Sequence, residues 1–200
     1  MNLNVARLRP VLLALFAAVS DPASGQIVEE QVRGIREICN RIDSGKLASA
    51  KVAYEGESEP ITATCTIFRE GDSVVKIHLS WGGDHFASDE YFYYAGGKLI
   101  FVYASDGSWR FTGDTLANGE SETLDEVVEH RVYVVDGKVI RHLEKAVQST
   151  RPEQLKTLLS KAENAPGKNS ERAGTLVGHG QALWGVRTRE DLGKALLPEP

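Results

Sequence analysis

The chain contains 200 residues, carries a formal net charge of -5 and is 42% hydrophobic. Acidic and basic residues are interspersed, and no cluster of Lys and Arg of the kind that neutralises phosphates is present, which argues against nucleic acid as a partner. Beyond the N-terminus no run is apolar enough to cross a bilayer, and the length predicts a single domain with its own hydrophobic core.

Residues 1–25 have the pattern of a signal peptide. Arg7 and Arg9 precede an apolar run at residues 11–19, and the small residues 23–25 suit a signal peptidase. The run is too short to span the roughly 30 Å hydrocarbon core of a bilayer. We therefore predict removal of residues 1–25 and a periplasmic or secreted protein. The alternatives are an earlier cleavage point and a buried N-terminal helix.

Residues 27–42 predict an amphipathic helix that covers a sheet. Apolar side chains recur at helical spacing, while most charged residues lie elsewhere on the helical wheel. The apolar positions are Val28, Val32, Ile35, Ile38, Cys39 and Ile42.

After residue 47 hydrophobic residues alternate, which is typical of β-strands. Residues 61–68 and 74–79 flank the turn residues 70–72 and predict an antiparallel hairpin. A three-residue loop centred on Gly71 keeps the apolar positions of both strands, including Cys65, on one face. We expect the first helix to cover that face.

Cys39 and Cys65 are the two cysteines of the chain. An even number of cysteines in an exported protein predicts a disulfide, and both side chains are expected at the interface of helix and sheet. Closing this loop would stabilise the fold by roughly 3 kcal/mol. Two buried free thiols are the alternative, and the paired spacing of a zinc site is lacking.

Two further hairpins share the pattern Y-x-x-[GD]-G-K-[LV]-I, at residues 93–100 and 133–140. Their dipeptides Gly96-Gly97 and Asp136-Gly137 tolerate the positive φ angles of a two-residue type I′ turn. Two copies are too few for a solenoid. We therefore interpret the repetition as architecture rather than chemistry.

The C-terminal part predicts a loop, a helix and a tail. Residues 113–126 are polar and acidic and predict a loop, whereas residues 150–163 carry leucines at helical spacing. The composition then shifts to Gly, Pro, Ser and charged residues. This shift predicts a flexible tail over residues 165–200, which includes His179 between two glycines, with a short helix at residues 188–196 as an alternative within it.

These elements predict an α+β fold in one domain, residues 26–164. The N-terminal helix packs on an antiparallel β-meander of about six to eight strands, and a second helix lies near the C-terminus.

Catalytic motifs are missing from the sequence: it contains no G-x-S-x-G, H-E-x-x-H or P-loop pattern. His78 and His142 lie in predicted strands, where we interpret them as partly exposed residues. The candidate metal ligands are Asp84, His85, Asp89 and Glu90, because imidazole and carboxylates bind divalent cations. A solvated connection between two hairpins is the alternative.

Aromatic residues are concentrated in one region, with ten of the fifteen between residues 81 and 111. Exposed Tyr and Trp side chains favour a binding role, because they offer a large contact area with a polar tip. The alternative is a central hairpin covered on both faces. The candidate binding residues are Trp81, Tyr91, Tyr93, Tyr103 and Trp109.

The strings at residues 90–101 and 129–141 each join an acidic-aromatic strand to a G-K-[LV]-I turn. They resemble a pattern in uncharacterised bacterial exported proteins and lipoproteins. The resemblance covers roughly residues 30–145, implies an exported α+β sheet domain and supplies no catalytic residue. The chain differs from the lipoprotein members because no lipid-accepting cysteine follows the apolar run.

Together these observations favour an exported, non-enzymatic binding module without a cofactor. Its expected partner is an envelope protein or a glycan. A small metal-assisted or hydrolytic enzyme that uses residues 81–90 is the first alternative, and a structural envelope protein is the second.

Overall fold

The structure, a computed structural model, describes residues 22–56 and 60–197, with side chains from Gly25 onward. Most of the predicted signal peptide, including its apolar run, therefore lies outside the described residues. The described part begins with helix α1 (Pro22–Ser44), which contains the predicted helix at residues 27–42.

Eight strands form one antiparallel sheet in which neighbours in sequence are neighbours in space. They are β1 (Ala48–Glu55), β2 (Thr62–Glu70), β3 (Ser73–Gly82), β4 (Phe86–Ala95), β5 (Lys98–Thr115), β6 (Ser121–Val135), β7 (Lys138–Ser149) and β8 (Ala165–Pro166). Helix α2 (Pro152–Lys161) connects β7 to β8, and helices α3 (Ser170–Leu183) and α4 (Arg189–Leu196) follow. The predicted α+β meander is confirmed, although β5 and β6 occupy much of the loop predicted at residues 113–126.

Three hairpins of the meander share one turn length. The β2–β3, β4–β5 and β6–β7 hairpins each have a two-residue turn, and in each the strand register shifts just beyond the turn. The φ angles are 56° and 78° at Gly96 and Gly97, and 47° and 77° at Asp136 and Gly137. These left-handed values are those that type I′ turns require, which explains the repeated dipeptides.

The register shift leaves one extra residue on the second strand of each hairpin, which is a β-bulge. The extra residues are Val75, Ile100 and Ile140, and the two isoleucines are the last residues of the repeated pattern. All three pack in the cluster beneath α1. The repetition therefore specifies bulged hairpins that support α1. The predicted three-residue loop at residues 70–72 is wrong, because a two-residue turn and a bulge replace it.

The sheet is apolar on both faces, and α1 covers one of them, here termed the α1 face. Arg36 Nε donates a hydrogen bond to Tyr133 Oη at 3.0 Å, and Tyr93 Oη donates to Asp43 Oδ2 at 3.0 Å. The tyrosines thus bury their rings and pair their polar tips with the helix. The buried core on this side consists of Val32, Ile35, Cys39, Ile42, Val75, Tyr93 and Tyr133.

Helices α3 and α4 cover the opposite face, here termed the α3 face. Leu176, Leu183 and Leu192 are at most 1% exposed and pack against sheet residues such as Phe92 and Val102. The C-terminal segment therefore completes the hydrophobic core, and the structure differs from the flexible tail that composition predicts over residues 165–200. The domain predicted to end at residue 164 extends through α4.

The predicted disulfide between Cys39 and Cys65 is not formed, and both are buried free thiols. Cys39 belongs to the core of the α1 face, whereas Cys65 belongs to the core of the α3 face, beside Leu79 of the paired strand. A disulfide needs Cβ atoms about 3.8 Å apart, and here the sheet separates them. The prediction failed because α1 covers the other face of the sheet.

Both cysteines should react with a maleimide when the protein is unfolded in guanidinium without a reductant. In the folded protein the reaction should be slow, because burial raises the pKa of Cys39 to about 12 and that of Cys65 to about 11. Mass spectrometry of samples with and without prior reduction checks this. Adducts that appear only after reduction would reveal a disulfide and contradict the structure.

Candidate metal centre

A continuous strip of polar side chains lies between the α3 face of the sheet and helix α3, and is termed the polar strip. Within residues 25–56 and 60–197, every buried side-chain nitrogen and oxygen has a hydrogen-bond partner. The strip is therefore a fully paired network. Its members are Trp81, Ser88, Glu90, Asp106, His130, His142, Glu144, Arg172 and His179.

Glu90 forms one end of the polar strip and is completely buried. Its carboxylate accepts hydrogen bonds from Arg172 Nη2 at 2.8 Å and Trp81 Nε1 at 3.0 Å, and lies 2.9 Å from His179 Nδ1. Burial opposes ionisation, but the hydrogen bond with His179 and the charge of Arg172 hold the pKa of Glu90 below its usual value. The network thus keeps a charged glutamate in the core.

Arg172 connects Glu90 to Asp106. Its Nε donates to Asp106 Oδ2 at 2.7 Å and its Nη2 donates to Asp106 Oδ1 at 2.7 Å, a bidentate pair. Burial opposes the ionisation of Asp106, yet hydrogen bonds with His130, Arg172 and Ser88 hold its pKa well below the usual range. Asp106 is therefore a fixed negative charge beside the next part of the strip.

His130, His142 and Glu144 form the other end of the polar strip. His130 Nδ1 lies 3.1 Å from His142 Nε2 and 3.5 Å from Glu144 Oε1, and the last two atoms are 3.4 Å apart. Their side chains are 4%, 9% and 14% exposed. In the described part of the chain this is the one group of three or more His, Cys, Asp or Glu side chains whose ligand atoms all lie within 4.8 Å of one another.

The strand register brings the three side chains together. His130 on β6 pairs directly with Glu144 on β7, and His142 precedes Glu144 by two residues, so all three point to the same face. An unbulged hairpin with the same two-residue turn would pair His130 with Leu143 and place the other two ligands on the opposite face. The bulge at Ile140 therefore assembles the group.

A second layer of contacts orients His130 and Glu144. His130 Nε2 lies 3.3 Å from Asp106 Oδ2, so the tautomer with its proton on Nε2 donates to this carboxylate and presents the Nδ1 lone pair to His142 Nε2. Glu144 accepts hydrogen bonds from the backbone N–H groups of Lys168 and Asn169, at 3.0 and 3.1 Å. Carboxylate support of a histidine in this manner is typical of metal sites.

The protonation states suit metal ligands. Burial lowers the pKa of His142, although the charge of Glu144 opposes this, so the neutral imidazole is favoured. Burial acts against the charged form of Glu144, but the hydrogen bonds from Lys168 and Asn169 lower its pKa. A neutral imidazole and a carboxylate are the forms that bind a cation.

The structure distributes the predicted binding residues over separate surfaces. Tyr91, Tyr93 and Tyr103 lie on the α1 face, where Tyr93 is buried beneath the helix and the other two are half-buried. Tyr103 Oη donates to Glu129 at 2.7 Å. Trp109 lies on the long β5–β6 hairpin, so the five residues do not form one aromatic surface.

Trp81 is the predicted binding residue that belongs to the polar strip. Beyond the strip it borders an open cleft of about 690 Å³, which is also lined by Tyr54, Phe86 and Arg189. The ring of Trp81 packs edge-on against Phe86, with centroids 5.1 Å apart. An aromatic surface is thus present, but on the α3 side of the sheet.

The four predicted metal ligands do not come together. Asp89 and Glu90 are neighbours on β4 and point to opposite faces: Asp89 pairs with His78 at 2.9 Å, whereas Glu90 belongs to the polar strip. His85 is exposed and packs on Trp109 at a centroid distance of 4.3 Å. Asp84 is exposed in the connection between β3 and β4.

Sequence reasoning placed His142 correctly in a strand but missed its partners. The spacing of His142 and Glu144 is a signal that could have been used, because residues two apart in a strand share a face. No such signal identified His130 or Arg172. His130 pairs with Glu144 only because of the bulge at Ile140, and Arg172 lies in a segment predicted to be a tail.

Comparison with family models, curated proteins and solved structures found no match for this chain. None of the helices in the described part combines the length and apolar composition needed to traverse a bilayer.

Proposed function

We propose that the protein is a binding module for a divalent transition-metal ion, with His130, His142 and Glu144 as its ligands. The observation that carries this proposal is the triangle of ligand atoms, with sides of 3.1, 3.4 and 3.5 Å. Two imidazoles and a carboxylate form a ligand set that binds zinc and also iron(II).

The size of the triangle favours zinc. A tetrahedral ion with ligands at 2.0–2.1 Å needs ligand atoms about 3.3 Å apart, whereas an octahedral ion at a similar distance needs about 3.0 Å. Two of the three sides are closer to the tetrahedral value. An ion could therefore enter with small side-chain shifts.

Three protein ligands leave a tetrahedral ion with one further position. Sites of this kind keep a water molecule or another small ligand there, whereas structural zinc sites use four protein ligands. His142 and Glu144 retain some exposure, which gives the ion a route from solvent. The signal peptide predicted at residues 1–25 would place this module outside the cytoplasm, and finding only unprocessed protein in the cytoplasm would contradict that part.

Isothermal titration of the purified protein with Zn²⁺ tests the proposal. We expect one ion per chain, and at least about 100-fold weaker binding for His142→Ala, because even loss of a residue that supports a ligand costs 10–100-fold. His78→Ala is the matched control, since His78 is also a strand histidine that pairs with a carboxylate, Asp89. Equal affinities of the His142→Ala variant and the unmodified protein would overturn the assignment.

A further inference from the structure

This inference rests on the proposed metal centre and concerns its regulation of the fold. We propose that the ion fastens the C-terminal segment, residues 165–197, onto the sheet, so that metal binding and the docking of α3 and α4 are coupled. Residues 165–172 support each of the three ligands, either directly or through Asp106.

The first connection is at Glu144. The backbone N–H groups of Lys168 and Asn169 both donate to its carboxylate, at 3.0 and 3.1 Å. Glu144 also pairs with Ala165 of β8 in the sheet. The carboxylate that would bind the ion is thus held by the loop that leads into α3.

The second connection is at His142. The N–H of Gly167 donates to the backbone oxygen of His142 at 2.9 Å, and the loop lies so close that a Cβ atom at Gly167 would overlap the imidazole ring. The orientation of the His142 ring therefore depends on the position of this loop.

The third connection runs from His130 through Asp106 to α3. Asp106 lies 3.3 Å from His130 Nε2 and forms the bidentate pair with Arg172 in the first turn of α3. The side chain of Asn169 caps the same helix by accepting from the N–H of Arg172 at 2.8 Å. Removing α3 from the sheet would take Arg172 away from Asp106, the carboxylate that orients His130.

Linkage makes this dependence reciprocal. If the docked segment orients the ligands, an ion bound to them must favour the docked state by the same factor. An ion that binds only the docked state, at a concentration 100 times its Kd, shifts the equilibrium toward docking about 100-fold. Because α3 and α4 cover the α3 face, the ion would control access to Leu79, Phe92 and Val102 beneath them.

Hydrogen exchange followed by mass spectrometry tests the coupling, with the protein in Zn²⁺ at 100 times Kd or in EDTA. We expect Zn²⁺ to slow exchange up to about 100-fold in residues 165–183. Exchange in α1, which packs on the opposite face of the sheet from α3 and α4, should change little. Uniform slowing over the whole chain, or no slowing in α3, would overturn the inference.

Two glycine variants sharpen the test. Gly167→Ala should displace the His142 ring, weaken Zn²⁺ binding at least about 10-fold and reduce the protection of α3 by the ion. Gly174→Ala is the matched control, because a Cβ at Gly174 meets no atom within 4 Å. If Zn²⁺ binds but α3 exchanges equally fast in EDTA, the coupling fails while the metal centre stands. If no ion binds at all, the proposed function fails.

Discussion

Replacing Arg172 by methionine should lower the free energy of unfolding by about 3–5 kcal/mol, because it leaves Glu90 buried without its arginine partner. The Arg172 side chain is 16% exposed and that of Glu90 is 0% exposed, so solvent cannot take over this role. Denaturant unfolding at pH 7 measures the change. Arg33→Met is the control, since Arg33 forms an exposed pair with Glu30 at 3.6 Å whose loss should cost less than about 1 kcal/mol.

The effect of Arg172→Met should shrink as the pH falls. In the folded protein the pKa of Glu90 lies below its ordinary value, so Glu90 contributes stability above the unfolded pKa of about 4.3, and this stability is lost at lower pH. Without Arg172, one of the groups that lower the pKa of Glu90 is lost, so this pKa rises and proton uptake stabilises the variant as the pH falls. The groups that face Glu90 are Trp81 and Ser88 on the sheet and Arg172 and His179 on α3. If the difference in free energy of unfolding between the Arg172→Met variant and the unmodified protein is constant between pH 7 and pH 4, this electrostatic explanation is wrong.

Replacing Leu176 by alanine should cost about 2–5 kcal/mol, the usual range for a fully buried leucine. Leu176 lies on α3, is 0% exposed and packs in the core of the α3 face. Leu158→Ala on α2 is the matched control, because Leu158 is 38% exposed and its loss should cost about 0.5 kcal/mol or less. Equal midpoints in denaturant for the two variants would show that the C-terminal helices do not complete the core.

The sheet could be predicted because its signals are local. Alternation of apolar residues identified the strands, and positive φ at Gly97 and Gly137 explains the tight turns. The meander then follows, since hairpins pair strands that are adjacent in sequence. The bulges at Val75, Ile100 and Ile140 were not predicted, because the extra residue of a bulge has no distinctive composition.

Helix α3 was missed because packing overrides its weak helix propensity. Gly174, Gly178 and Gly180 all lie within it, and glycine disfavours helices by about 1 kcal/mol per residue. Gly180 has a structural reason, because a Cβ there would lie 2.8 Å from Leu99 and 2.9 Å from Phe92. Glycine at this position thus lowers the helix propensity but allows close contact between helix and sheet, which composition alone cannot show.

The disulfide prediction failed as a consequence. Because residues 165–200 predict a tail, the sequence assigns α1 to the face that carries Cys65. In the structure α3 and α4 cover that face, and α1 packs on the tyrosine-rich face, which holds Cys39. The prediction of a tail at residues 165–200 therefore led to both the wrong helix placement and the wrong cysteine pairing.

Diffraction at the zinc absorption edge, from crystals grown with Zn²⁺, would locate the ion of the proposed metal centre. We predict one anomalous peak about 2.0–2.2 Å from each of His130 Nδ1, His142 Nε2 and Glu144 Oε1. A peak elsewhere, for example beside Asp84 and His85, with none between these three atoms would contradict the account.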